Sequence, residues 1–212
     1  MKMTNILFEV DMQNDFIRKN GALPVPNAED IIPNCVCIKN HSIDKHIPRI
    51  GSVDRHFSDD HELKIFNPHC MNETNGQKII AELYDKNTVF VSDKVGNMGR
   101  YTKYTYGELI DLMKQAQDGV LIFEKQFTDV FTNPNVGFVL EKIGVSDAYI
   151  FGVSTEYCVK DAAMGFIKRG IRTYIIVDAI AGISKKDSID ALNEMQNAGV
   201  KLIKTSDFLM VD

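Results

Sequence analysis

Tryptophan is absent from this 212-residue chain, and cysteine is scarce, at four residues. Cys35, Cys37, Cys70 and Cys158 are irregularly spaced, with no C-x-x-C pair and no disulfide framework. Cys35 and Cys37 lie two apart on an expected helix, so they face different directions and read as packing or surface residues. No apolar run approaches the roughly 20 residues a membrane span needs. The N-terminal MKMTNILFEVDMQ has one lysine, then an acidic break at Glu9, and lacks a signal-peptide core; a cytoplasmic protein is expected. There is no G-x-G-x-x-G and no phosphate-loop motif. A net charge of -5 gives no basic face for nucleic acid or an anionic membrane. Repeats, low-complexity tracts and linkers are also missing. What is present is 44% hydrophobic and 25% charged residues, enough to bury a full core in a single domain over 1–212.

Short apolar runs alternate with amphipathic stretches. TNILFEV (4–10) reads as a buried parallel strand that ends at Asp11. MQNDF and KNGALPVP follow as turn and loop. Residues 28–47 carry a helical pattern despite Pro33 near its start. RIGSV (49–53) is a second strand. Residues 54–78 are polar and without period, and a loop of that length in a compact domain is usually functional. Residues 87–95 and 100–106 alternate around GNMG and predict a β-hairpin insertion within 84–106. Such a hairpin must pack on something, and it leaves the domain beside the polar loop. It is expected to fold over a pocket or join a subunit interface. Helices are expected at 107–117, 134–143, 156–169 and 187–198, and strands at 119–124, 147–153, 171–177 and 200–204. The alternation predicts a three-layer α/β/α sandwich with a mainly parallel sheet.

The stretch DAYIFGVSTEYCVKDAAMG (147–165) is the most informative. A strand runs into a tight turn, and Val159, Ala162, Ala163 and Phe166 then recur at helical spacing. Ser154 or Thr155 can cap this helix, which puts Cys158 in its first turn. There the helix dipole and backbone N–H groups favour a thiolate nucleophile. Taken alone, the residue is as readily a buried structural cysteine. Asp11, Asp54, Lys125 and Cys158, however, each follow an expected strand directly, and parallel sheets gather ligands at their carboxyl edge. A cysteine nucleophile needs a proton acceptor and a cation. Asp11 can take the thiol proton and return it to a leaving amine; Lys125 can keep that carboxylate ionised.

The polar loop offers a second cluster. Asp54 and His56 share a face in extended chain, and His61 and His69 follow, so three of the five histidines fall between 56 and 69. One carboxylate with two or three imidazoles suits zinc or a similar divalent ion, iron and manganese being the alternatives. His41 and His46 carry no assigned role, and the side chain of Cys70 should diverge from that of His69.

FEVDMQNDF with GALPVP, VDRHFSDDH, NPHC, EKQFTDVF and GVSTEYCVKDAAMG together resemble the isochorismatase-like cysteine hydrolases, and within them the nicotinamidases. The resemblance implies Asp11, Lys125 and Cys158 as a catalytic triad. It implies Asp54, His56 and His69 as metal ligands, with His61 as a candidate fourth. Phe16 and Phe66 match aromatic positions that pack a pyridine ring. A cis peptide is implied at Val153–Ser154, with backbone N–H groups near Ser154 and Cys158 aimed at an oxyanion. The implied activity is hydrolysis of nicotinamide to nicotinic acid and ammonia, a step of NAD salvage, by a homo-oligomer acting on a small amide. The alternatives are a related hydrolase for another small amide or carbamoyl compound, and a non-catalytic small-molecule-binding domain.

Overall fold

The computed structural model describes residues 4–92, 104–117 and 119–211. Its strands, in chain order, are β1 (Thr4–Val10), β2 (Arg49–Asp54), β3 (Thr88–Val91), β4 (Val120–Lys125), β5 (Val145–Val153), β6 (Arg172–Ala181) and β7 (Lys201–Ile203). They form one sheet in the order β3-β4-β2-β1-β5-β6-β7, and every pairing is parallel. The helices are α1 (Asn14–Ile17), α2 (Ile32–Asp44), α3 (Tyr106–Gln115), α4 (Val136–Ile143), α5 (Lys160–Lys168), α6 (Lys185–Asn197) and α7 (Thr205–Phe208). This is the expected α/β/α sandwich.

Alternation of side chains along each strand feeds two cores. Ile6, Phe8 and Val10 of β1 pack with Leu109, Val139, Phe166 and Met195 of α3, α4, α5 and α6. Leu7 faces the other layer, with Phe16, Cys35, Ile38 and Phe208 of α1, α2 and α7. The central strands β2 and β4 are buried at every position, which is why they read as short continuous apolar runs. The expected helix 28–47 is shorter: a 3₁₀ turn at Ala28–Ile31 precedes α2, and Pro33 sits in its first turn, where a missing N–H costs nothing.

The expected hairpin needs correction on its first arm. Residues 88–91 pair in parallel with β4 as the edge strand of the main sheet, Thr88 opposite Val120 and Val91 opposite Phe123. A four-residue alternating run satisfies a hairpin arm and a sheet edge equally well. The GNMG turn and most of the second arm fall within 93–103, outside the described residues, and Tyr106 already begins α3 behind a capping box from Thr105 and Glu108.

The parallel register sets the ends of β1, β2, β4 and β5 side by side. Asp54 lies opposite Lys125 in the β2–β4 ladder, and Val10 opposite Gly152 in the β1–β5 ladder. Gly152 has φ +120, and a Cβ there would lie 2.1 Å from the Val10 carbonyl oxygen. Only glycine allows the two strands to approach so closely before the chain turns towards Cys158.

Candidate active site

Asp11, Lys125 and Cys158 converge at the carboxyl edge of the sheet. Lys125 Nζ is 2.8 Å from Asp11 Oδ2 and donates to Cys158 Sγ at 3.4 Å. The same ammonium also contacts Asp54 Oδ1. Asp11 sits just past β1 at φ 50, a left-handed conformation that aspartate tolerates better than most residues. Its other oxygen accepts from Ser52 Oγ at 2.7 Å. After β5 the Val153–Ser154 peptide is cis. A wide turn over Thr155–Val159 follows, in which Val159 N–H reaches back five residues to the Ser154 carbonyl at 3.1 Å. Cys158 lies inside that turn rather than in the first turn of a regular α-helix.

The electrostatics differ from the expected thiolate. Burial pushes the Cys158 thiol well above its ordinary value; Lys125 works against this, but Asp11 and Asp54 add to it. Burial likewise raises Asp11, with Lys125 opposing and Asp54 reinforcing. Burial would depress Lys125, yet Asp11 and Asp54 together hold it well above the usual lysine range. Burial thus favours the neutral thiol and the protonated carboxyl, while the two aspartates favour the charged ammonium. The helix terminus alone suggested the opposite because it carried no information about dehydration.

Asp54 Oδ2 points away from Lys125 towards two imidazoles. It lies 3.7 Å from His56 Nε2 and 3.6 Å from His69 Nε2, and His69 Nε2 is 3.9 Å from Glu62 Oε1. All four residues are buried, and their donor atoms fall within 4.8 Å of one another. Asp54 Oδ2 and His56 Nε2 have no hydrogen-bond partner. Donors 3.6–3.9 Å apart with orphaned lone pairs suit an ion held at roughly 2.0–2.2 Å from each. The supporting groups agree. His69 Nδ1–H donates to the Asn67 carbonyl at 2.6 Å, which leaves Nε2 free to ligate, and Asp60 Oδ2 lies 3.4 Å from His56 Nδ1. The residues present thus fit a divalent ion.

His61 does not join this group. It is exposed on a 3₁₀ turn, while its neighbour Glu62 is buried and faces the site. Burial, then the nearby Asp54 carboxylate, push Glu62 up to about 7. Two further residues gave no signal in the sequence. Ser52 orients Asp11. Gln13, fully buried, accepts from Asp54 N–H at 2.7 Å and donates to the carbonyls of Asp54 and Gln77, each at 2.7 Å. Its amide completes the backbone pairing at the end of β2.

A hollow of about 340 Å³, counted out to its open mouth, lies over Cys158 and the His69 side of the acidic cluster. Phe16 and Phe66 both line it, with ring centroids 5.2 and 6.2 Å from that of His69. Ser154, Tyr157 and Ile183 complete much of the wall.

Residues 103–207 match the isochorismatase domain. The whole sandwich is similar to the crystal structure of the pyrazinamidase of Pyrococcus horikoshii in complex with zinc. The two are 26% identical with a TM-score of 0.73, over 94% of this chain and 98% of that one. The chain has the isochorismatase-like fold, and its second half carries the isochorismatase domain. Among curated relatives of this isochorismatase-like chain, the nicotinamidase of Saccharomyces cerevisiae is 26% identical over 90% of this chain and 93% of its own. A probable inactive nicotinamidase of Arabidopsis thaliana is also 26% identical, over 92% of this chain and 89% of its own. Among the described residues no helix is long and apolar enough to cross a membrane.

Proposed function

We propose that this isochorismatase-like protein is a cysteine-dependent amidohydrolase of the nicotinamidase type, converting nicotinamide to nicotinic acid and ammonia in NAD salvage. The observation that carries the reading is the contact of one ammonium, Lys125 Nζ, with Asp11, Asp54 and Cys158 at the floor of an aromatic-lined hollow. A structural cysteine needs none of these partners, and an inactive relative of this chain would not need to keep them.

In the proposed cycle the substrate carboxamide sits over Cys158, with its ring between Phe16 and Phe66. Asp11 takes the thiol proton as Sγ attacks the carboxamide carbon; its raised proton affinity suits it to this transfer. Lys125 offsets the negative charge on sulfur. Backbone N–H groups near Ser154 and Cys158 stabilise the oxyanion, a contribution of about 3–4 kcal/mol per donor in comparable sites. The C–N bond breaks, and Asp11 returns its proton to the departing nitrogen, which leaves as ammonia. Asp11 then takes a proton from a water that attacks the thioester; the C–S bond breaks, Asp11 passes that proton to the departing Sγ, and the acid leaves. Asp54, His56, Glu62 and His69 would hold a divalent ion, zinc by preference. When bound, the ion would supply a Lewis-acid contact for a ring nitrogen of the substrate.

Ammonia release is the direct test, measured across nicotinamide, pyrazinamide and carbamoyl compounds with and without chelator. Release from the two ring amides, lost on chelation, is the expected result. Release from carbamoyl compounds alone would transfer the protein to that branch of the superfamily. No release from any of them would sink the amidohydrolase reading.

A further inference from the structure

Glu156 lies two residues before Cys158, is 7% exposed, and does not line the hollow. Its carboxylate turns away from the catalytic groups towards the loop between β6 and α6. Oε1 accepts from Ile183 N–H at 2.9 Å and from Ser184 N–H at 2.7 Å, and Oε2 from Ser188 Oγ at 3.3 Å. Ser184 is the residue that caps α6, so the carboxylate sits at the positive end of that helix. The loop is drawn in tightly: a Cβ on Gly182 would lie 2.0 Å from Ser188 Oγ and 2.5 Å from Glu156 Oε2. One side chain therefore fastens the nucleophile turn to a loop about 27 residues further along. Ile183, which that loop carries, is 40% exposed and forms part of the wall of the hollow beside Tyr157.

Ile183 lies between β6 and α6, outside both elements, and its backbone N–H donates to Glu156 Oε1. The free space enclosed by the hollow is only about 20 Å³, room for about one water molecule, so its mouth is tight. Moving one aliphatic side chain at its mouth is enough to change what enters.

We propose that Glu156 is a positioning residue: it holds Ile183 over the mouth of the hollow, and this wall restricts the site to flat, single-ring amides. The proposal rests on the reading of Cys158 as the nucleophile of this hollow, and its test needs no turnover. Cys158 is alkylated in the intact protein with iodoacetamide and, separately, with the bulkier N-phenylmaleimide. Peptide mapping by mass spectrometry keeps its rate apart from those of the other cysteines. The readout is the bulky-to-small rate ratio. Glu156→Ala and Ile183→Ala should each raise it about tenfold, the scale on which a small change in an apolar pocket alters discrimination. The double variant should gain little more, because both remove one wall. Glu156→Gln, which keeps an acceptor for the two N–H groups, should stay within about twofold of the parent. Gly182→Ala forces the same contact apart from the loop side and should behave like Glu156→Ala, so the test survives if Glu156→Ala fails to fold.

A ratio unchanged in Ile183→Ala would show that this side chain is no wall. A ratio raised by Ile183→Ala but by neither Glu156→Ala nor Gly182→Ala would show that Glu156 does not set its place. Either result overturns the proposal. A shifted ratio in a protein that releases no ammonia from any ring amide would instead overturn the nicotinamidase reading and leave the wall standing.

Discussion

Cys158 stands beside an ammonium, yet burial pushes its thiol well above the ordinary value; Lys125 opposes this, and Asp11 and Asp54 add to it. On the proposed reading the thiolate forms as Asp11 accepts the proton. Cys158→Ala should lower ammonia release by at least about 10³-fold, with metal content and melting temperature unchanged; residual turnover above that level would move the nucleophile elsewhere. His56→Ala should lower bound metal from about one ion per chain to near zero in elemental analysis, since it removes one of the orphaned donors; retention of the ion would show that the cluster does not hold it. The convergence of Asp11, Lys125 and Cys158 was legible from sequence because Asp11 follows β1, Lys125 ends β4 and Cys158 lies in the turn just past β5, and the parallel topology does the rest. Glu62 was not. A glutamate in a loop without period carries no signal, and counting imidazoles favoured His61 next to it, whose side chain faces solvent. The upward push on the thiol was illegible for a different reason: burial is a property of packing, which no local spacing reveals.

At the level of elements, β1 carries an ionisable residue that the chemistry does not use. Glu9 is 4% exposed, and burial raises it from 4.5 to about 7, with Arg49 and Lys39 opposing and Asp85 adding to the rise. A carboxyl with a raised folded-state value stabilises the fold in its protonated form. That contribution is fully present below about pH 4.5 and is lost as pH rises towards 7. Within that window Glu9 alone makes stability fall with pH by up to about 1.4 kcal/mol per unit. Calorimetry of Glu9→Gln against the parent from pH 5 to 8 should show a growing advantage for the variant; parallel curves would remove Glu9 as the cause. The strand ends make a second case. Gly152→Ala puts a Cβ 2.1 Å from the Val10 carbonyl oxygen at φ +120, whereas Gly199→Ala meets nothing within 4 Å at φ +102. The first should cost about 3 kcal/mol or more and the second about 1–2 kcal/mol; equal losses in urea melts would refute the close-approach argument. The strands of the interior were readable as apolar runs. β3 was misread because Thr88–Val91 is too short for its alternation to say which neighbour it pairs with, and that neighbour lies about thirty residues away in β4.

For the whole molecule, the proposed ion should act as a ligand of the folded state alone, since its donors come from β2 and from three separate places in the segment that follows. Chelation should therefore lower the melting temperature, and adding zinc should restore it. The linkage is about 2.7 kcal/mol when free metal is a hundred times its dissociation constant. A melting temperature indifferent to both treatments would argue that nothing binds there. The three-layer architecture could be read from strand–helix alternation, because a parallel sheet with helices on both faces is what that order permits. The Glu156 clamp could not be foreseen, since its partners at 183, 184 and 188 follow two intervening elements.

Asp54 turns one oxygen to Lys125 and the other to His56 and His69. On the proposed reading this fixes an order of loss in descent. A copy of the chain that comes to need no ion can change His56, Glu62 or His69 one at a time and keep its ammonium paired. A copy that changes Asp54 gives up both arrangements in a single step. Among diverged copies the imidazoles should therefore disappear first, and an aspartate left standing without them would mark a hydrolase that has abandoned its metal and kept its thiol.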